Sequence, residues 1–202
     1  MKTKWLAIIG AVFLFAELAL VLMSWILSAT MMEGVRSLLS SEGIRWYFGY
    51  FTEMVASPLL VWLLLLLSAL GCFHKSGGAS LLKGVQLTYR ERTALRVSLV
   101  FVLIYLVIFA LLTLLPHAIL LSATGSLFPS AFSRSLVPSV AFGGCLFSVV
   151  YGMMSGRMKT LPDILDALSF GITKGAPLLI LYILFIQLYE SFRFVFLSSG
   201  TA

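Results

Sequence analysis

Charge is scarce in this sequence: Asp, Glu, Lys and Arg make up 11% of its 202 residues, less than half of the roughly 25% usual in a soluble domain. With 60% of residues hydrophobic, a water-soluble fold of this size could not hide its apolar surface, and a soluble globular class is excluded. Cysteine and histidine number two each. Cys72 and Cys145 both lie inside apolar stretches, where a thiol serves as a small hydrophobe rather than as half of a disulfide or a metal ligand. Also missing are a Walker-type glycine loop, a nucleophile elbow, a histidine pair at zinc spacing and a carboxylate pair set for acid/base work. The sequence therefore points to no enzyme, no catalytic residue, no metal and no resident cofactor. Its net charge of +6 is interleaved with apolar runs instead of gathered in one patch, so it speaks of membrane topology and not of nucleic acid.

What is present is a series of long apolar segments. They predict an all-α polytopic membrane helix bundle of about five transmembrane helices plus interfacial amphipathic helices, in a single integral membrane domain over 1–202. The spans are expected at approximately 5–27, 50–73, 97–115, 138–154 and 177–196, with a basic cytoplasmic loop at 74–96. The first is too long for a cleaved signal peptide, whose apolar core runs to about 15 residues, so it is expected to remain as an anchor. The segment from Met31 to Phe48 mixes Glu33, Arg36, Glu42 and Arg45 with Leu38, Leu39, Ile44 and Trp46, the make-up of a stretch lying in the membrane interface. Pro58 should start or kink the helical part of the second span. Gly77, Gly78 and Gly84 mark a flexible basic loop, His117 is expected at a helix end, and Ser122 to Ser135 reads as a Gly/Pro/Ser-rich turn region on the opposite side. Leu161 to Phe170, with Pro162 at its start, reads as an interfacial helix preceding the fifth span.

Three polar groups fall inside apolar runs. Glu17 is the lone charge of the first span and is expected near mid-membrane, where a carboxylate is either a proton or cation relay or a hydrogen-bonded acid at a helix contact. Gln187 and Glu190 lie in the fifth span. Glu190 is one turn from Arg193, which allows an ion pair near the exit interface, and the other reading makes Gln187 and Glu190 polar ligands facing a cavity. A stripe of small residues, Gly144, Ser148, Gly152 and Gly156, recurs every four positions in the segment 138–159. That spacing lets a neighbouring helix approach closely and marks the segment as a central strut. Of the Lys and Arg residues, ten (2, 4, 75, 83, 90, 92, 96, 157, 159 and 174) fall on the side of the N-terminus, and four (36, 45, 134 and 193) on the other. The excess predicts a cytoplasmic N-terminus and a C-terminus outside.

Three stretches read together resemble the p-aminobenzoyl-glutamate transporter (AbgT) family of bacterial secondary transporters. The first is Leu38 to Gly77, with LLSSEGIRW, Pro58-Leu59, Gly71 and Lys75-Ser76-Gly77, where His74 replaces an acid of the family's turn. The second is Leu87 to Thr160, with LTYRERTALR, TGSLFPSAFSRSLVP and the Tyr-Gly-x-x-x-Gly turn at Tyr151, Gly152 and Gly156. The third is Leu161 to Phe192, with its amphipathic helix and Gln187. The resemblance implies a protein of the bacterial inner membrane that carries a small organic anion, such as p-aminobenzoyl-glutamate or an antimetabolite, on a gradient of H+ or Na+. Its expected surroundings are the lipid bilayer and either a homo-oligomer or another membrane protein. Family members insert several helices and a re-entrant hairpin between the positions of Gly77 and Leu87, and continue after the Gln helix into an Asn-Trp-x-Asn-like turn where this sequence has Arg193 to Phe196. The resemblance is thus to a shortened member lacking the hairpin regions, and no substrate-binding residue carries over. The alternative is a scaffold or interaction subunit that transports nothing.

Overall fold

A computed structural model describes residues 2–32, 34–82, 86–114 and 131–197. Among these the chain is all helix: α1 (Lys2–Ala29), α2 (Ser41–Gly49), α3 (Phe51–Val55), α4 (Pro58–Lys75), α5 (Gly78–Leu82), α6 (Tyr89–Leu114), α7 (Ala131–Ser155) and α8 (Leu161–Phe196). Five of them, α1, α4, α6, α7 and α8, are long and apolar enough to cross a membrane. Glu33, Lys83, Gly84, His117 and residues 122–130 of the expected turn region lie outside the described residues, whereas 131–135 open α7.

Several boundaries differ from the sequence reading: the second span starts at Pro58, α6 at Tyr89 and α7 at Ala131, ahead of the expected 97 and 138. Pro58 does start its span, because α3 ends at Val55 and Ser57 and Pro58 begin afresh. Pro177 does not. The interfacial helix expected at 161–170 and the fifth span are one 36-residue helix with Pro177 inside it, about 54 Å long at 1.5 Å per residue. Proline costs a helix one backbone bond, and in a membrane segment neighbouring groups make good the loss. Since the bilayer core is about 30 Å thick, the charged end of α8, with Asp163, Asp166 and Lys174, extends beyond it. The basic loop is likewise shorter than 74–96, because α4 runs on to Lys75 and α6 begins at Tyr89.

Packing groups the chain into two compact units, Met1–Val61 with Ala176–Ala202, and Trp62–Gly175. In the first, α1 lies beside the end of α8. Gly10 faces Leu181 and Leu184, Phe13 meets the Phe185 ring at 5.9 Å, and Leu20 packs with Phe194 and Val195. Residue numbers rise together along both helices, so the two run parallel. The segment after α1 folds back over their end. The Leu38 amide donates to Ser24 Oγ at 3.1 Å and the Arg36 amide to the Val195 carbonyl at 3.1 Å. Ser40 then caps α2 by accepting from the Gly43 amide, and Trp46 stacks on Phe194 at 4.3 Å.

In the second unit, α4 and α8 meet backbone to backbone at Gly71 and Gly171. A Cβ on Gly171 would strike the Leu67 carbonyl oxygen, and one on Gly71 would strike the Gly171 amide. Ser68 Oγ locks the contact by donating to the Leu168 carbonyl at 3.0 Å. Cys72, fully buried, packs beside Met158 and Ala167, and both cysteines are free. The most buried of the five spans is α7, with 28% of its most apolar 18-residue stretch buried against 6% to 11% for the others. Of its small-residue stripe, Gly144 faces Ala69 of α4 and Gly152 makes room for the Met158 side chain folding back. Ser148 is fully buried. Gly156 ends the helix with φ +82°, a left-handed cap that leaves the Arg157 and Met158 amides to donate to the Gly152 carbonyl.

Replacing Gly171 with Ala should therefore lower thermal stability in detergent by about 1–3 kcal/mol, the usual cost of forcing atoms into a filled contact. Gly49→Ala, where a Cβ meets nothing within 4 Å, is the matched control. Equal melting of the two variants would contradict this account of the α4/α8 contact.

Candidate functional site

Glu17 enters the first unit on α1, whose other residues at this level are apolar. A carboxylate there needs hydrogen bonds to stay, and α8 supplies one: Ser191 Oγ donates to Glu17 Oε1 at 2.7 Å. The second oxygen, Oε2, is buried and has no hydrogen-bond partner. Gln187 precedes Ser191 by four residues and so shares its helix face. It is 6% exposed, and neither Nε2 nor Oε1 of its amide completes a hydrogen bond.

From α2, Tyr47 reaches the same place. Its phenol is pushed above the ordinary tyrosine range, first by burial and then by the nearby Glu17 charge, and it lies close to the Gln187 amide without completing a hydrogen bond to it. The hydroxyl therefore keeps its proton throughout the physiological range. Tyr47 is held by the cluster of Leu20, Leu38, Phe194 and Val195, with its neighbour Trp46 stacked on α8. Glu17, Ser191, Gln187 and Tyr47 thus form one polar pocket, assembled from α1, α8 and α2.

Glu190 stands apart from this pocket. Its two carboxylate oxygens accept from Arg193 Nη1 at 3.1 and 3.2 Å, the ion pair that the spacing allowed. Arg36 similarly pairs with Glu42 at 3.3 Å. These charged pairs gather at the end of α8 and at the start of α2. Along α1 itself Glu17 lies midway between the ends of the span Lys4–Ala29. No cation forms an ion pair with Glu17 among the described residues, and no group of three or more His, Cys, Asp or Glu side chains is placed to hold a metal.

Two members of the pocket were not singled out from the sequence. Ser191 had a signal, its position one turn after Gln187 on a membrane helix. Tyr47 had only its place in an interfacial segment.

The Ser191–Glu17 bond can be weighed by a double-mutant cycle of Glu17→Leu and Ser191→Ala, read as stability in detergent. Ser191→Ala alone should cost about 1–2 kcal/mol by leaving a buried acceptor unmet, and much less once Glu17 is gone. A strictly additive cycle would show that the bond contributes nothing.

Comparison with known proteins bears on the scaffold that carries this pocket. The model of the AbgT putative transporter family matches residues 37–198. That covers Tyr47, Gln187 and Ser191 but starts after Glu17. No curated protein and no solved structure matches the chain.

Proposed function

Because this chain belongs to the AbgT family, we propose that it moves a small organic anion across the cell membrane of a bacterium, driven by a gradient of H+ or Na+. In this reading Glu17 takes up the coupling ion. The observation that carries it is a membrane carboxylate that, among the described residues, has one hydrogen bond, no ion-pair partner and one buried, unsatisfied oxygen. Ordinary structural acids in membrane helices are paired or fully hydrogen-bonded, and an acid left half-satisfied is suited to gaining and losing a positive charge.

The organic anion, of which p-aminobenzoyl-glutamate or an antimetabolite is the type, rests on the family alone. The basic excess on the side of residues 75, 90, 92, 96, 157, 159 and 174 supports an N-terminus in the cytoplasm. In that topology α2, which follows the end of α1, covers the Glu17 pocket from the outer side, where the ion would enter for uptake. A homo-oligomer would add further walls to the pathway.

The test is flux of p-aminobenzoyl-glutamate into proteoliposomes under an imposed proton or sodium gradient. Gradient-dependent uptake is expected, and Glu17→Gln should reduce it at least about tenfold, the effect of losing a positioned proton or ion carrier. Glu190→Gln, which alters only the ion pair with Arg193, should leave uptake within about twofold of the parent. No uptake from folded protein under either gradient would leave an interaction subunit or scaffold as the description.

A further inference from the structure

The pocket around Glu17 has a composition that narrows the coupling ion. Its groups present oxygen: the free carboxylate Oε2 of Glu17, the free amide Oε1 of Gln187, the Ser191 hydroxyl and the Tyr47 hydroxyl. Among the described residues two of these are buried acceptors that no donor meets, against one unmet donor, Gln187 Nε2, and Gln187 is more than nine-tenths buried. A buried acceptor without a donor is a standing cost in a protein interior. Two in one pocket mark a place where something electropositive belongs.

Charge balance selects its valence. The pocket carries one carboxylate, and the neighbouring acids Glu42 and Glu190 are each already joined to an arginine. One negative charge with neutral oxygens balances a single positive charge. Calcium takes six to eight oxygens with several carboxylates among them, and magnesium retains most of its water. Neither fits.

We infer that Glu17, Gln187, Ser191 and Tyr47 form a binding site for one sodium ion, entered from the side that α2 covers. The carboxylate supplies the charge, while the amide and the two hydroxyls replace water around the ion. The Ser191 hydroxyl, its proton committed to Glu17 Oε1, offers lone pairs to the ion. Tyr47 is the member nearest the interface and is carried on a nine-residue helix, so the ion passes it on the way in.

This rests on the coupling role proposed for Glu17, but its test is binding and not flux. The purified protein in detergent is melted in NaCl and in choline chloride at equal ionic strength. Sodium should raise the melting temperature by about 3 °C or more at saturation, since a ligand that binds only the folded state stabilises it. Gln187→Leu and Glu17→Gln should abolish the rise, and Tyr47→Phe should shift its half-saturation about tenfold to higher sodium. Glu190→Gln should keep it. If Glu17→Gln does not fold, Gln187→Leu and Tyr47→Phe decide the matter.

Equal melting in sodium and choline would overturn the assignment, as would a sodium effect untouched by these changes. A melting temperature that follows pH but not sodium would make the occupant a proton and also overturn it. Sodium binding without flux would leave the site standing and remove the transport reading. Flux indifferent to sodium would do the reverse.

Discussion

A helix inside a bilayer must satisfy its own polar groups, because no water is there to do so. Most of the hydroxyls in the spans obey by bonding back into their own helix. Ser24 donates to the Val21 carbonyl, Ser98 to Leu95, Thr113 to Phe109 and Ser148 to Gly144. Each is thereby removed from chemistry. Among the described residues the buried side-chain atoms left without a partner are Tyr151 Oη in the second unit, and Glu17 Oε2 with both amide atoms of Gln187 in the first. The concentration of unmet groups at one contact, against a background of thorough satisfaction, is what distinguishes the Glu17 pocket from incidental polarity.

The same constraint explains how the helices approach. With lipid tails as apolar as leucine, helices gain by packing closely and by isolated hydrogen bonds between them. The Gly71–Gly171 contact provides the first and Ser68 to Leu168 the second, and between them they fix α4 against α8. At the far end of α8 the balance differs. There α1 is held by apolar contacts and by the bond from Ser191, and α2 closes over the pair by stacking Trp46 on Phe194.

The five spans were legible in the sequence because apolar length is a property of each segment by itself. The two prolines were not equally legible. Pro58 follows a break that the chain makes anyway at Ala56 and Ser57, whereas Pro177 sits within a helix whose flanks on both sides keep it going. The close glycine contact escaped notice because Gly71 is solitary in α4 and Gly171 has only Gly175, one turn on, beside it in α8, too few to make a stripe. The regular stripe on α7 drew attention, yet its last two members serve a turn and the methionine that folds over it. Glu17 and Gln187 stood out as polar residues in apolar runs. Their partners did not, since Ser191 lies 174 positions from Glu17 and Tyr47 comes from a helix between them in the chain. Neither distance leaves a local pattern to read.

The parallel pairing of α1 with α8 also has a bearing on how the protein is made. The second unit is one unbroken stretch, Trp62–Gly175, and can close as soon as that stretch has left the ribosome. The first unit cannot, because it joins α1 to the far end of α8. Glu17 therefore enters the membrane uncovered, 174 residues of synthesis before Ser191 arrives. A carboxylate in that position costs a few kcal/mol, so α1 is held during this interval by its apolar length. The polar pocket forms only after the second unit is free to close.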